Sequence, residues 1–173
     1  QPLIHDGVMF LNQSADVIQA IDAATGDLLW SYDRQLPDGL FRFAYANRNI
    51  AIYDDLIIVG TGDAHLVAIE ARTGEVRWDV EVADHTLGYA YSAGTIVADG
   101  RIIAPMSGCY MINEGGCWIS AHDPADGAEV WRRMTIAAPD EPGGDSWGQT
   151  PRSERYGGSV WMPPSYDPET RTL

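Results

Sequence analysis

One pattern occurs three times in these 173 residues and narrows the possible folds more than any other feature of the chain. It runs Ala20-Ile21-Asp22-Ala23-Ala24-Thr25-Gly26-Asp27-Leu28-Leu29-Trp30, then Ala68-Ile69-Glu70-Ala71-Arg72-Thr73-Gly74-Glu75-Val76-Arg77-Trp78. The third copy is Ala121-His122-Asp123-Pro124-Ala125-Asp126-Gly127-Ala128-Glu129-Val130-Trp131. Successive tryptophans stand 48 and 53 residues apart, a period at which supersecondary units stack into an array. In each copy a short apolar run meets an acidic residue and a Thr-Gly or Asp-Gly turn, and a second run follows. Asp accepts backbone hydrogen bonds inside such a turn, and Gly supplies the positive φ of the reversal. The Trp gives the hairpin a large apolar surface for the next unit to cover.

A second hairpin pattern alternates with the first, in Leu3 to Phe10, Ile52 to Val59 and Ile96 to Ile103, and Ser165 to Leu173 reads as a truncated fourth copy. Two hairpins per period give four short strands per unit, and no helical periodicity competes over a comparable window. Radially repeated four-stranded sheets are the blades of a β-propeller. The expected fold is therefore all-β: blades over approximately 1–45, 46–90 and 91–135, a loop excursion over 136–157, and the start of a next blade over 158–173. Closed propellers carry typically 4–8 blades. The length thus matches part of a propeller, with both ends expected inside a larger repeating structure. With its outer sheet faces unclosed, such a piece is not expected to persist as a stable monomer.

Composition excludes several function classes. Acidic residues number 25 against 11 basic, a net charge of −14, so phosphate-rich partners such as nucleic acid or anionic lipid would be repelled. A 45% hydrophobic content with 6 Trp and 8 Tyr is too apolar for intrinsic disorder. No run approaches the roughly 20 apolar residues of a membrane span. There is no Cys-x-x-Cys-His for c-type haem attachment. Two cysteines and four scattered histidines (His5, His65, His85, His122) do not make a zinc site. Asn12-Gln13-Ser14 fits a glycosylation sequon and is read as chance.

The repeated Ala-x-Asp/Glu-x-x-Thr/Asp-Gly-x-x-x-Trp resembles the tryptophan-docking motif of quinoprotein alcohol dehydrogenases, eight-bladed propellers that use pyrroloquinoline quinone (PQQ) with calcium or a lanthanide. Gly143-Gly144-Asp145-Ser146-Trp147, followed by Gly157-Gly158-Ser159-Val160-Trp161 and Ser165-Tyr166-Asp167-Pro168-Glu169-Thr170, is similar to the family segment that brings a Trp under the quinone ring. Asn47-Arg48 resembles the pair whose arginine contacts the quinone carbonyl oxygens. The resemblance covers essentially the whole chain. It implies an N-terminal portion of a periplasmic enzyme that passes a hydride from an alcohol to the quinone and electrons onward to a separate cytochrome.

By that resemblance the cofactor-binding candidates are Arg48, Trp161, Ser107, Gly108 and Ser92. A flat aromatic face suits a planar quinone, and a guanidinium fork suits its carbonyl and carboxylate oxygens. Each has an ordinary alternative: an inter-blade plug for Trp161, a surface charge for Arg48. Trp30, Trp78 and Trp131 are assigned to inter-blade docking. No catalytic base falls within the chain, and the remaining blades would supply it.

The sequence also departs from the family. Arg42 and Phe43 stand where many members carry two adjacent cysteines, and the stretch after Ser107-Gly108 lacks the usual metal-binding Glu. Asn113 and Glu114 are the alternative metal ligands, since calcium accepts amide and carboxylate oxygens, and a solvated loop tip is the competing reading for Glu114. Cys109 and Cys117 bracket this loop. A disulfide there would stiffen it and implies an oxidising compartment, the periplasm; two buried free thiols are the alternative. The Pro/Gly-rich excursion is either a lid or a plain surface insertion, and Arg152, Arg155 and Asp145 face substrate or solvent accordingly. The competing function is a non-catalytic propeller scaffold with PQQ-like repeats in envelope protein assembly.

Overall fold

The computed structural model describes residues 2–40, 47–109 and 115–173. These residues carry three four-stranded antiparallel sheets, each ordered as a simple meander. The first comprises β1 (Leu3–His5), β2 (Val8–Asn12), β3 (Val17–Asp22) and β4 (Leu28–Asp33). The second comprises β5 (Ala51–Tyr53), β6 (Leu56–Gly60), β7 (His65–Glu70) and β8 (Val76–Glu81). The third comprises β9 (Ile96–Ala98), β10 (Arg101–Pro105), β11 (Trp118–His122) and β12 (Glu129–Met134). Their radial repetition is that of a β-propeller.

The repeated motif has the same geometry in each sheet. Its hairpin carries a register shift at the same place, between Ala20 and Ile21, Ala68 and Ile69, and Ala121 and His122. In the first copy the Asp22 carboxylate accepts from Ala24 N and Thr25 N at 2.8 and 3.0 Å, and Gly26 N donates to Asp22 O. The bulge offsets the following strand so that its Trp pairs across with Ala20, Ala68 or Ala121.

From there the indole reaches the next sheet. Trp30 Nε1 donates to Ala71 O at 3.0 Å, and Trp78 Nε1 donates to Pro124 O at 3.0 Å. Each ring lies flat against the glycine of the next turn. A Cβ on Gly74 would come within 2.8 Å of the Trp30 ring, and one on Gly127 within 2.9 Å of the Trp78 ring. Trp131 is 40% exposed and lines an open groove with Ala98, Ile103 and Tyr166.

Burial follows from sheets stacked face to face. The middle strands of the second sheet are covered on both sides, so Ile57, Ile58, Val59, Leu66, Val67, Ala68 and Ile69 are all buried in unbroken runs. Phe10, Ile18 and Ala20 pack from the first sheet against Ile57, Val59, Val67 and Ile69. Each Val, Leu, Ile or Phe side chain among them contributes about 1.5–3 kcal/mol on removal from water. The last strands β8 and β12 instead show mostly exposed residues. The segment from Ser165 onward makes a single bridge, Asp167 to Thr172, rather than a strand pair. Its Tyr166 packs on Ala98, Ile103 and Ala121 of the third sheet.

Candidate functional site

Residues 47–50 lead into β5, and asparagines pin them on both sides. Asn12 Nδ2 donates to Asn47 O at 2.8 Å, Asn47 Nδ2 to Gly60 O at 3.1 Å, and Asn49 Nδ2 to Thr95 O at 2.9 Å. Between them projects Arg48. Its Nη1 donates to Ser92 O at 2.9 Å, and its guanidinium carbon sits 5.4 Å from the centroid of the Trp161 ring. That indole is 53% exposed, so one of its faces is open to a ligand.

Beside this pair, Ala90 and Ser107 form an isolated antiparallel bridge with backbone bonds of 3.1 and 3.0 Å. Ser107 Oγ donates to Ala90 O at 2.6 Å, which leaves Ser92 Oγ to donate to Ser107 Oγ at 2.9 Å. Both hydroxyls are buried. Gly108 passes close against the Gly88 carbonyl, where no side chain fits. The structure thus brings Arg48, Ser92, Ser107 and Trp161 together around one spot, with Gly108 in the wall behind. The chemistry of these residues suits a planar ligand bearing carboxylates: a half-open aromatic face with a cation beside it, backed by a buried, hydrogen-bonded serine pair.

Cys109 and Cys117 form a disulfide with Cα atoms 5.4 Å apart and both residues fully buried. Asn113 and Glu114, the candidate metal ligands, lie outside the described residues, as do Arg42 and Phe43. Among the described residues no three His, Cys, Asp or Glu side chains gather at metal-binding spacing.

Three features escape sequence reasoning. The first is Asp16, completely buried at a residue of positive φ, with its Oδ2 accepting from Gly62 N at 2.6 Å and its Oδ1 without a hydrogen-bond partner. Burial pushes its carboxyl up to about 6, against the pull of the Gly62 N–H. Next to it Arg34 grips Asp63 with two bonds of 2.7 and 2.8 Å and reaches Asp79 at 2.9 Å, tying the first sheet to the second. The fork holds the Asp63 carboxyl below its ordinary range despite the burial that opposes it. Asp79 also meets His65 Nδ1 at 2.7 Å. A lone Asp in a short loop carries no sequence signal of burial, and an Arg–Asp pair 29 residues apart carries none of contact.

The third is Arg155, which is buried and turned away from solvent. It is 3% exposed and donates to the carbonyls of Thr150, Ala137 and Gly144 at 2.9, 3.3 and 3.2 Å, with its guanidinium carbon 5.7 Å from the Trp147 centroid. It is the internal tie of the loop excursion. Arg152 and Asp145 are exposed.

A family model described as outer membrane protein assembly factor BamB matches residues 1–110. The quinoprotein alcohol dehydrogenase PedH of Pseudomonas putida is 36% identical over 189 residues, covering 100% of this chain and 31% of that protein. The solved structure of the quinohemoprotein alcohol dehydrogenase ADHIIG from Pseudomonas putida superposes with a TM-score of 0.70 at 31% identity, covering 82% of this chain and 21% of that one. A europium-containing methanol dehydrogenase shares the fold, with a TM-score of 0.73 at 22% identity over 81% of this chain and 25% of its own. The chain spans about a third of the length of the curated relatives it matches.

Proposed function

Since the chain belongs to the PQQ-repeat propeller family, and within it to the quinoprotein alcohol dehydrogenases, we propose that it forms the quinone-cradling part of a PQQ-dependent alcohol dehydrogenase. The observation that carries this reading is the convergence of Arg48, Ser92, Ser107 and Trp161, drawn from separate stretches of sequence. When bound, the quinone supplies an electrophilic carbon that accepts hydride from the alcohol.

The chain's own residues do the rest of what falls to it. The Trp161 face offers flat apolar contact to a conjugated ring. The Arg48 guanidinium, one donor of which bonds the Ser92 carbonyl, brings a positive charge beside the Trp161 ring, where quinone or carboxylate oxygens would be attracted to it. Because that cation is held in place before anything binds, little reorganisation is needed as negative charge develops on an oxygen beside it. The base that takes the alcohol proton is assigned to the blades outside this chain. So is the main donor set for calcium or a lanthanide, with Asn113 and Glu114 as this chain's candidates.

The alcohol, a periplasmic location and a separate cytochrome acceptor complete the proposal. The disulfide supports the oxidising compartment. The test is reconstitution of the full-length protein with PQQ and either calcium or a lanthanide, followed by dye-linked alcohol oxidation. Oxidation that requires PQQ is the expected result, and none under any metal overturns the enzyme.

The second reading, a non-catalytic assembly scaffold, is favoured by the description of the family model that matches residues 1–110. A scaffold has no use for a half-exposed Trp161 under a fixed cation. Full-length protein that binds an envelope partner but takes up no PQQ would establish that reading instead.

A further inference from the structure

We propose that the Cys109–Cys117 disulfide positions the Trp161 platform, fixing how far its ring stands from the serine pair across the site. This rests on the quinone-site reading and adds to it a determinant of the cradle's depth.

The segment from Gly157 to Trp161 belongs to none of the three sheets, so its placement comes from what it is seated on. Val160 N donates to Met106 O at 3.2 Å. Gly157 O lies 3.5 Å from Cys109 Sγ, a contact and not a hydrogen bond, since a disulfide sulfur has no proton to give. Gly116, next to Cys117, backs onto the same carbonyl so closely that a Cβ there would stand 2.7 Å from Gly157 O. Thr135 completes the seat. Its Oγ1 accepts from Cys117 N at 3.1 Å and donates to Cys117 O at 3.0 Å, and it abuts Gly158 with no room for a side chain between.

The platform segment therefore touches both ends of the loop that the disulfide closes. Cys109 also follows Ser107 by only two positions, and Ser107 carries the hydroxyl that receives the Ser92 proton. One covalent link thereby joins the two sides of the site: the strand end bearing Ser107 and the seat beneath Trp161. Opening the bond frees Cys117 and Gly116 to move relative to Cys109, and the platform then loses the support of that loop and keeps the Val160–Met106 bond. A side chain stacked on a ligand is sensitive to shifts far smaller than those that unfold a sheet.

The experiment compares full-length wild type with the C109A/C117A pair and with wild type whose disulfide has been reduced and confirmed by thiol labelling. Amide exchange, followed without cofactor, is expected to accelerate at least tenfold across 157–162. Exchange in β10 (Arg101–Pro105) and β11 (Trp118–His122) should change less than twofold. PQQ titration, read by quenching of Trp161 fluorescence with Trp161→Phe as the blank, is expected to show at least fivefold weaker binding.

Protection of 157–162 unchanged within twofold overturns the proposal. So does loss of protection spread through β9–β12, or a pair variant that folds no better than unfolded chain while reduction also opens the sheet. In those cases the bond holds the blade and not the platform. If wild type itself takes up no PQQ, the quinone reading fails, and the exchange result still decides the fate of the clamp.

Discussion

The guanidinium of Arg48 lies 5.4 Å from the centre of the Trp161 ring, although the two residues come from distant parts of the chain. Long-range contacts place both: Arg48 bonds the Ser92 carbonyl, and the Trp161 segment is seated beside the third sheet, with Val160 N bonded to Met106 O. Their meeting makes a surface at once aromatic and cationic.

Arg48→Lys should therefore weaken PQQ binding to the full-length protein by about tenfold, or about 1.4 kcal/mol. An ammonium on a flexible stem cannot bond Ser92 O and offer a planar fork to the ligand at once. Trp161→Ala should cost as much through lost stacking. Equilibrium titration of the apo protein checks both, and affinities within twofold of wild type would remove Arg48 and Trp161 from the site.

The docking joints make a separate prediction about stability. Trp78→Ala removes a partly buried indole and leaves the Pro124 carbonyl without its donor, at a cost of about 3 kcal/mol. Gly127→Ala, at φ +75° beneath the same ring, should be comparably damaging because the methyl group has nowhere to go. Urea midpoints of full-length variants report both, and a neutral Gly127→Ala would mean that the ring readily shifts aside.

Asp16 gives a pH dependence whose sign is set by burial. Its carboxyl titrates near 6 in the fold against 3.8 for an ordinary aspartate, with Asp63 raising it and Arg34 lowering it in the same cluster. Between pH 4 and 6 the folded chain keeps a proton that the unfolded chain has released. Stability is therefore lost as pH rises through that window. The loss by pH 7 amounts to about 3 kcal/mol. Asp16→Asn should raise the unfolding temperature at pH 7 to 8 and leave it nearly unchanged below pH 4. A gain of equal size at both pH values would refute the ionisation argument.

His122 works in the opposite sense. It stands where the first two repeats have Ile21 and Ile69, fully buried, with Nδ1 donating to Gly127 O at 2.9 Å and Nε2 receiving from Ser120 Oγ at 2.9 Å. Burial lowers its pKa below the usual 6.5, with the Gly127 carbonyl opposing. At acid pH the unfolded chain takes up a proton that the folded imidazole resists, so stability falls as pH drops through 6.5. His122→Ile should flatten the decline between pH 7 and pH 5, compared at each pH with wild type, because Asp16 contributes the reverse slope. Urea titrations at the two pH values supply the measurement.

Legibility in the sequence follows the range of the interactions. The hairpins of Asp22 to Gly26, Glu70 to Gly74 and Asp123 to Gly127 are local, and their turn chemistry by itself announces four-stranded units. Trp30 and Trp78 can be assigned to docking because a Trp ending every repeat must be covered by the next. The site is legible only through resemblance: nothing in Asn47-Arg48 by itself points to a Trp far along the chain. Asp16, the Arg34–Asp63–Asp79 cluster and the inward turn of Arg155 leave no trace at all. Each depends on contacts between segments whose residues are individually ordinary. At the last residues, where the opening of a next blade is expected, the structure has one bridge, Asp167 to Thr172.

The identity of the joints carries a consequence for how such a molecule changes over time. Trp30 meets the turn of Gly74 in the way Trp78 meets that of Gly127, down to the carbonyl each indole bonds. A duplicated or deleted unit would therefore find a ready-made socket on either side, and the ring can gain or lose members without inventing a new contact. Arg48, Ser92, Ser107 and Trp161 enjoy no such freedom, because they come from more than one unit and from the loops between them. Inheritance can shuffle the scaffold by whole modules, while the chemistry can be altered only one loop at a time.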